Sequence, residues 1–355
     1  MDLRVEKADP GELKDKPDES ALGFGQYMTD HMFVMQYDEA IGWHDAVIKK
    51  YADFKLDPAA MVLHYGQEIF EGLKAYHGKD DKTYLFRPSD NLKRMNVSAA
   101  RMCMARFPED SVYQAMRTLI DLDRDWVPRT EGATLYIRPT MIASEAGLGV
   151  RPAKQYLFFI IMSPVGAYYP EGFNPVKIFV TDKYVRAVAG GVGNAKTGGN
   201  YAASIMAAVE AQQKGYTQVL WLDALERKYI EEVGTMNIFF LIDDELITPP
   251  LTGSILPGIT RDSVLRLTKD WGLKVSERRI AIDEVLAANE NGTLQEIFGT
   301  GTAAVISPVG ELNYRGNTCT INNGKTGELS QKLFDEIQAI QHGYKADPYG
   351  WVTEV

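Results

Sequence analysis

The chain has 355 residues, of which 45% are hydrophobic and 24% are charged, and its formal net charge at pH 7 is −10. This length favours two domains, and the negative charge argues against non-specific nucleic-acid binding. Cys103 and Cys319 are too few for a disulfide framework and form no CxxC motif, and the longest apolar run is far shorter than the ~20 residues of a membrane helix. We therefore expect a cytoplasmic protein that binds no metal, nucleic acid or membrane.

The first half of the chain is predicted to be α+β. Its first twenty residues alternate in charge and carry two prolines, so we expect a loosely ordered arm. Asp90 is expected to cap a helix whose apolar residues are Leu92, Met95, Ala99 and Met102. A second helix should cover residues 111–122, with Val112, Met116, Leu119 and Ile120 inward. Alternation and β-branched residues predict strands at 32–37, 60–65, 134–137 and 155–162.

A segment rich in proline and glycine, residues 163–175, is typical of a linker between domains. We therefore expect domains at 1–162 and 176–355, with this segment as the interdomain loop. Its aromatic residues Tyr168, Tyr169 and Phe173 are expected to pack rather than to lie in solvent.

The second half is predicted to begin with a strand at 176–180. The spacing of Ala202, Ile205, Met206 and Val209 predicts an amphipathic helix that ends at Gly215. Another helix should open at 256–262 and bury Val264, Leu267 and Trp271. Closely spaced strands at 218–222, 229–233 and 237–241 predict an antiparallel meander, which argues against a doubly wound parallel sheet. A final strand, 294–298, is expected to precede a loop of small residues at 299–303.

A glycine-rich stretch at 190–201 surrounds Lys196. Three interpretations compete for it: a phosphate-binding P-loop, a lysine that bonds to an aldehyde cofactor, and an ordinary surface turn. The P-loop pattern fits residues 190–197 except that Ala195 replaces the second glycine, and residues 219–223 resemble the strand and aspartate that would hold magnesium. This alternative predicts magnesium-dependent ATP binding, and the meander weakens it.

Adjacent carboxylates, Glu231 and Glu232, lie within an apolar strand pattern. Successive side chains in a strand point to opposite faces, so one carboxylate must point inward and needs a cationic partner. The alternatives are an edge strand with both carboxylates in water, and an inward glutamate paired with a buried arginine.

Two small-residue segments are suited to an anion. Gly258, Ile259 and Thr260 open a predicted helix, whose free N–H groups and dipole attract negative charge, although a plain threonine cap would have the same sequence. Residues 299–303 add further donors. A lysine in a bend, a strand glutamate for a pyridine nitrogen and two phosphate-binding segments together fit pyridoxal phosphate.

The chain as a whole resembles the branched-chain amino acid aminotransferases. These are fold-type IV pyridoxal phosphate enzymes with the fold of D-amino acid aminotransferase. The resemblance covers nearly the whole chain. It is carried by six blocks in the family's order: residues 63–72, 85–88, 135–139, 194–201, 232–237 and 299–303.

The resemblance implies the roles of individual residues. Lys196 would bond to the cofactor and move the proton of the substrate α-carbon, while Glu232 would hold the pyridine nitrogen and Tyr201 the ring hydroxyl. The other implied cofactor-binding residues are Arg87, Thr235, Leu256, Gly258, Ile259, Thr260, Gly301 and Thr302. The implied substrate-binding residues are Tyr65, Phe70, Tyr136, Arg138, Thr302 and Ala303.

The family's architecture is a smaller α/β domain and a larger pseudo-barrel domain, and its members form homodimers. The implied reaction is transamination of leucine, isoleucine and valine with 2-oxoglutarate. Where mammalian members carry a redox-active CxxC, this chain has residues 304–307 without cysteine, so thiol regulation is not expected there. With no transit peptide expected, the chain resembles a bacterial, cytoplasmic member. A D-amino acid aminotransferase, an aminodeoxychorismate lyase and a non-catalytic binding module remain as alternatives.

Overall fold

The computed structural model describes residues 2–166 and 173–355. Its described residues form two compact units. The first unit contains residues 2–166, Ala195–Gly198 and Gln338–Val355, and the second contains residues 173–194 and Gly199–Ile337. The short segment that carries Lys196 therefore packs with the first unit, although the chain on either side of it belongs to the second.

Eighteen strands and eight α-helices occur within these described residues. The strands are β1 (Arg4–Val5), β2 (His31–Asp38), β3 (Gly42–Lys50), β4 (Glu68–Phe70), β5 (Leu73–His77), β6 (Thr83–Phe86), β7 (Thr134–Ala143), β8 (Gln155–Val165), β9 (Val176–Thr181), β10 (Gln218–Leu222), β11 (Ile230–Val233), β12 (Asn237–Ile242), β13 (Glu245–Thr248), β14 (Lys274–Glu277), β15 (Leu294–Gly301), β16 (Val305–Tyr314), β17 (Asn317–Thr320) and β18 (Val352–Glu354). The helices are α1 (Met61–Tyr65), α2 (Pro88–Arg101), α3 (Glu109–Leu122), α4 (Gly198–Ala202), α5 (Ile205–Gln213), α6 (Ile259–Asp270), α7 (Ile282–Glu290) and α8 (Glu328–Gln341).

The sheet of the first unit has the strand order β1-β3-β2-β8-β7-β5-β6-β18, and β4 pairs with β7. One face of it packs against α2 and α3 in a single apolar core. Most of the predicted inward residues are confirmed, because Leu92, Met95 and Ala99 are buried and so are all four residues predicted for α3. Met102 is the exception, because it is the C-cap of α2 and is only partly buried. Helical spacing was enough to predict the buried residues here, because each helix packs only one of its faces against the sheet.

The sheet of the second unit has the order β11-β10-β9-β16-β15-β12-β13-β14, and β17 pairs with β16. The predicted antiparallel pairing of β10 with β11 is confirmed. The predicted meander is wrong beyond that pair, because β12 forms ladders with β13 and β15 instead of β11. Strand β9 runs parallel to both β10 and β16, so the sheet is mixed.

Three local predictions were wrong. Residues 61–65 of the strand predicted at 60–65 form α1 instead, and Ala60 is its N-cap. Only Met61 of the helix is buried, and Gly66 ends it in a left-handed conformation with its N–H bonded to the Val62 carbonyl. The N-cap of α2 is Arg87, so Asp90 lies in the first turn instead of capping the helix. Residues 299–301 belong to β15, because they continue its ladder with β16.

The helix predicted after Lys196 is broken into α4 and α5, and its apolar face points outward. Ile205, Met206 and Val209 are 61%, 58% and 40% exposed, whereas Ala207 and Ala211 are buried. Small residues face the sheet here because α5 lies close to it, and the large apolar residues form a surface patch.

The N-terminal arm is docked rather than loose. Glu6 N–H bonds to the Ile48 carbonyl at 2.8 Å, Ala8 N–H to His31 Nε2 at 2.9 Å, and Lys14 N–H to Asp30 Oδ1 at 2.8 Å. Charge alternation predicted solvation, but backbone N–H groups of the arm donate to acceptors in β2, in β3 and at Asp30, which directly precedes β2.

Residues 163–165 of the predicted interdomain loop belong to β8, where they pair with β7. Tyr168 and Tyr169 lie outside the described residues. Phe173 stacks on Phe334 with ring centroids 4.0 Å apart. The division into domains at this segment stays a prediction. None of the helices in the described part of the chain has the length and apolar composition needed to cross a bilayer.

Candidate active site

Lys196 is held by its backbone on both sides. Its N–H donates to Ser98 Oγ at 2.9 Å, and its carbonyl accepts from Phe70 N–H at 3.0 Å. Its Nζ lies 4.8 Å from the centre of the Phe70 ring. The lysine is therefore a positioned side chain, and the interpretation as an ordinary surface turn is wrong.

The residues that follow Lys196 are fixed to β4. Thr197 Oγ1 donates to the Glu68 carbonyl at 2.7 Å, and Gly198 N–H donates to Glu68 Oε1 at 2.6 Å. Burial raises the pKa of the Glu68 carboxyl, against the effect of this hydrogen bond. The P-loop interpretation is also wrong, because β9 ends at Thr181 and an irregular segment separates it from the glycines.

Phe70, Tyr136 and Arg138 form one group in the first unit. Tyr136 and Arg138 share a face of β7, as residues two apart in a strand do. Arg138 Nη2 donates to the Tyr136 hydroxyl at 3.0 Å, and the guanidinium lies 4.7 Å from the centre of the Phe70 ring. An arginine over two aromatic rings presents both a cation and an apolar wall.

Tyr65 has a different setting. It is half exposed at the end of α1, and its hydroxyl donates to the Leu148 carbonyl. The sequence places it near Phe70 in the chain, but α1 turns it toward the segment that follows β7.

Arg87 begins the helix that carries Ser98. It is a buried residue with a left-handed backbone (φ 52°), and Pro88 follows it at the first helical position. Its Nε bonds to Asp90 Oδ2 at 2.8 Å, and its guanidinium lies 5.3 Å from the Trp351 ring. A buried guanidinium at the start of a helix is well suited to an anionic group.

Glu232 lies in the second unit and is the inward carboxylate of β11, with 3% of the residue exposed. Its Oε2 forms an ion pair with Arg186, and its Oε1 accepts from Asn237 Nδ2 at 3.3 Å. Arg186 Nη2 also donates to the carbonyls of Ser254 at 2.7 Å and Gly193 at 3.3 Å. Glu232 is therefore paired with a buried arginine. From the sequence this was one of the alternatives.

Sequence reasoning missed Arg186. The signal was indirect: an inward glutamate requires a cation, but nothing in the sequence indicates which arginine supplies it. Glu231 points to the opposite face of β11, as predicted, and accepts a hydrogen bond from Ser254 Oγ. Burial raises the pKa of Glu231, so this carboxyl takes up a proton more readily than an exposed glutamate does.

The start of α6 is built around a glycine. Gly258 is the N-cap, and a Cβ at this position would lie 1.9 Å from Asn237 Oδ1. Asn237 Nδ2 donates to the Leu256 carbonyl at 2.9 Å, which holds the approach to the helix. Thr260 is the second residue of α6 and is buried, so the alternative of a plain threonine cap is wrong.

The remaining predicted residues of the second unit lie in α4, in the turn after β11, and at and after the end of β15. Thr235 is exposed in the turn between β11 and β12, and Tyr201 is half-buried in α4. Gly301 ends β15, and Thr302 and Ala303 follow it, partly exposed. Next to them, Thr300 Oγ1 is buried without a hydrogen-bond partner. A buried hydroxyl in this state is suited to a bound polar group.

Within the first unit the structure thus brings Lys196 together with Phe70, and Phe70 with Tyr136 and Arg138. Within the second it links Glu232, through Asn237, to Leu256 and Gly258 at the start of α6.

Comparisons with known proteins place the chain among its relatives. A model of the amino-transferase class IV family matches residues 68–312. The chain is 57% identical to branched-chain-amino-acid aminotransferase 2 of Bacillus subtilis (strain 168), over 96% of this chain and 94% of that one.

Two solved structures are similar along most of the chain. The Escherichia coli branched-chain amino acid aminotransferase has a TM-score of 0.75 and 27% identity and covers 90% of this chain and 98% of its own. The branched-chain aminotransferase of the thermophilic archaeon Thermoproteus uzoniensis, solved with norvaline, has a TM-score of 0.75 and 26% identity, covering 91% and 99%. The predicted fold class is confirmed by these matches.

Proposed function

The chain belongs to the amino-transferase class IV family, and on that basis we propose that it transfers the amino group of L-leucine, L-isoleucine or L-valine to 2-oxoglutarate with pyridoxal phosphate as cofactor. The products are the branched-chain 2-oxo acids and L-glutamate. The observation that carries this proposal is Lys196, whose backbone is bonded on both sides and whose amine lies over the Phe70 ring.

The residues present fit the cofactor. Glu232 is a buried carboxylate suited to a protonated pyridine nitrogen, and the α6 N-terminus and the Thr300 hydroxyl are suited to a phosphate. Bound pyridoxal phosphate supplies an aldehyde that condenses with amines and a ring that accepts electrons. The phosphate would be bound by Arg87, Ile259, Thr260 and Thr302. Thr235, Leu256, Gly258 and Gly301 would complete the contacts, with Tyr201 on the ring hydroxyl.

Lys196 would act as the general base of the reaction. Its Nζ takes the proton from the substrate α-carbon and returns a proton later in the same half-reaction. Glu232 would hold the protonated ring nitrogen, and the Arg186 guanidinium lies beside this carboxylate.

The substrate side combines apolar and cationic groups. Phe70, Tyr136 and Tyr65 would contact the branched side chain, and Arg138 would bind the side-chain carboxylate that glutamate has and leucine lacks. Backbone N–H groups at Thr302 and Ala303 would bind the α-carboxylate.

We also propose a homodimer. The outward apolar patch of α5, formed by Ile205, Met206 and Val209, is typical of a surface that binds another protein. Light scattering should give twice the chain mass, and Met206→Glu should shift the protein toward the monomer. A dimeric mass unchanged in that variant would place the interface elsewhere.

Cys103 and Cys319 are free thiols, which suits a reducing cytoplasm.

Amino transfer from L-leucine to 2-oxoglutarate, followed as L-glutamate formed, tests the function. Lys196→Ala should abolish turnover and leave the unfolding transition in place. D-alanine in place of L-leucine tests for a D-amino acid aminotransferase, and release of pyruvate from aminodeoxychorismate tests for the lyase. Activity with either of those substrates and none with L-leucine would overturn the proposal.

A further inference from the structure

We propose that Glu71 is a positioning residue: through a buried ion pair with Arg94 it holds Lys196 and the substrate-facing residues Tyr136 and Arg138 in one arrangement. This inference rests on the proposed function, because it concerns the same lysine. Glu71 directly follows β4, the strand to which the Lys196 segment is attached.

Both carboxylate oxygens of Glu71 are fully engaged. The residue is 0% exposed, Arg94 Nε donates to Oε1 at 2.7 Å, and Arg94 Nη2 donates to Oε2 at 2.8 Å. Asn91 Nδ2 donates to Oε2 at 2.8 Å. Burial acts to raise the pKa of Glu71, but the Arg94 guanidinium, together with the charge of Lys196 and the Asn91 hydrogen bond, outweighs it and holds the pKa below its usual value. The carboxylate is therefore ionised and fixed in direction.

The same helix face holds Lys196. Asn91, Arg94 and Ser98 are three and four residues apart on α2, so they share one face. Asn91 and Arg94 bind Glu71, and Ser98 Oγ accepts the N–H of Lys196 at 2.9 Å. The residue before Glu71, Phe70, donates its N–H to the Lys196 carbonyl. Any shift of Glu71 relative to α2 therefore displaces one of the two bonds that fix the lysine backbone.

Gly72, the residue after Glu71, contacts the substrate-facing residue Tyr136. Asn91 Nδ2 donates to the Gly72 carbonyl at 3.3 Å, and Gly72 N–H donates to Glu71 Oε2 at 3.1 Å. A Cβ on Gly72 would lie 2.0 Å from the Tyr136 hydroxyl, so the hydroxyl rests directly against this backbone. Because Arg138 donates to the same hydroxyl, the position of Gly72 also determines where the guanidinium lies.

A buried ion pair is a poor source of net stability, since desolvation offsets most of the attraction. Its directional bonds do fix geometry, and proton transfer is sensitive to geometry: a misplacement of about 1 Å costs on the order of a hundredfold in rate. The carboxylate of Glu71 thus serves to align Lys196 with the substrate more than to hold the unit together.

Hydrogen exchange of the cofactor-free protein tests this without measuring activity. In Glu71→Gln, the amides of Phe70 and Lys196 should exchange at least about tenfold faster, while the amide of Ile137 in β7 keeps its protection. With saturating cofactor, the single-turnover rate with L-leucine should fall by on the order of a hundredfold. Glu284→Gln, which breaks a two-bonded pair with Arg278 at the surface, should change neither quantity.

A second pair of variants separates alignment from stability. Ser98→Ala removes only the acceptor of the Lys196 N–H, so it should speed hydrogen exchange at Lys196 and slow turnover. If Glu71→Gln does not fold, this variant tests whether the position of the lysine backbone sets the rate. Glu71→Gln with Arg94→Gln should regain thermal stability but not the rate. Wild-type protection at Phe70 and Lys196 in Glu71→Gln, or a uniform loss across all core amides, would overturn the inference. Failure of the proposed function would appear separately, as wild-type protein without transaminase activity.

Discussion

Removing the cation beside Glu232 should destabilise the second unit strongly. In Arg186→Met the carboxylate stays buried but loses its ion pair, and the carbonyls of Ser254 and Gly193 lose a charged donor. The two side chains are only 9% and 4% exposed. Breaking such a buried pair from one side costs about 3–5 kcal/mol, because an uncompensated charge remains. We expect this loss in the free energy of unfolding.

The measurement is urea unfolding of the cofactor-free protein, followed by circular dichroism. The matched control is Arg278→Met, whose partner Glu284 lies at the surface with about 40% of each side chain exposed, so the expected loss is about 0–1 kcal/mol. Arg186→Met combined with Glu232→Gln should recover most of the stability, because no buried charge is left unpaired. A loss in Arg186→Met equal to that of the control would refute the reasoning.

Substitutions at Gly258, Glu231 and Lys74 should change cofactor affinity or stability in directions set by their surroundings. Gly258→Ala should weaken cofactor affinity by on the order of tenfold in a fluorescence titration, because the added Cβ meets Asn237 Oδ1 and displaces the N-terminus of α6; unchanged affinity would exclude a phosphate there. In urea titrations, Glu231→Gln should raise the free energy of unfolding at pH 7.5 and leave it unchanged at pH 4. Burial raises the pKa of Glu231 in the folded protein, so the stability that the carboxyl contributes is lost as the pH rises through that pKa. A gain at both pH values would contradict this. Burial lowers the pKa of Lys74 to about 8, so the unfolded chain binds more protons between about pH 8 and 10.5. The wild type should therefore gain stability relative to Lys74→Met over that interval, and parallel pH profiles would rule it out.

Regular patterns in the sequence predicted the elements that pack against a single surface. Helices α2 and α3 cover one face of a sheet, so their apolar spacing matches their burial. Strand β10 was predicted with its observed bounds because it is a short apolar run between turns. The outward face of α5 was not predictable, because hydrophobic spacing reports which residues cluster and not whether another part of this chain covers them.

Contacts between segments that are distant in the chain could not be predicted from the sequence. The sequence predicted an inward glutamate at β11, but the arginine that meets it comes from the loop after β9. The partners of β12 depend on β15, which is more than fifty residues away in the chain. The sequence likewise indicated that Lys196 lies in a bend, whereas its bonds to Ser98 and Phe70 join segments about a hundred residues apart. Local propensity carries no information on such contacts.

We propose that Lys196 bonds covalently to pyridoxal phosphate and that a branched-chain amino acid displaces it. The most direct measurement is the near-ultraviolet and visible absorbance of the purified protein with pyridoxal phosphate, before and after L-leucine, followed by borohydride reduction and peptide mapping. We predict a visible band that L-leucine shifts, and a reduced adduct on Lys196 in the protein without substrate. A protein that stays colourless with the cofactor, or an adduct on another lysine, would contradict the account.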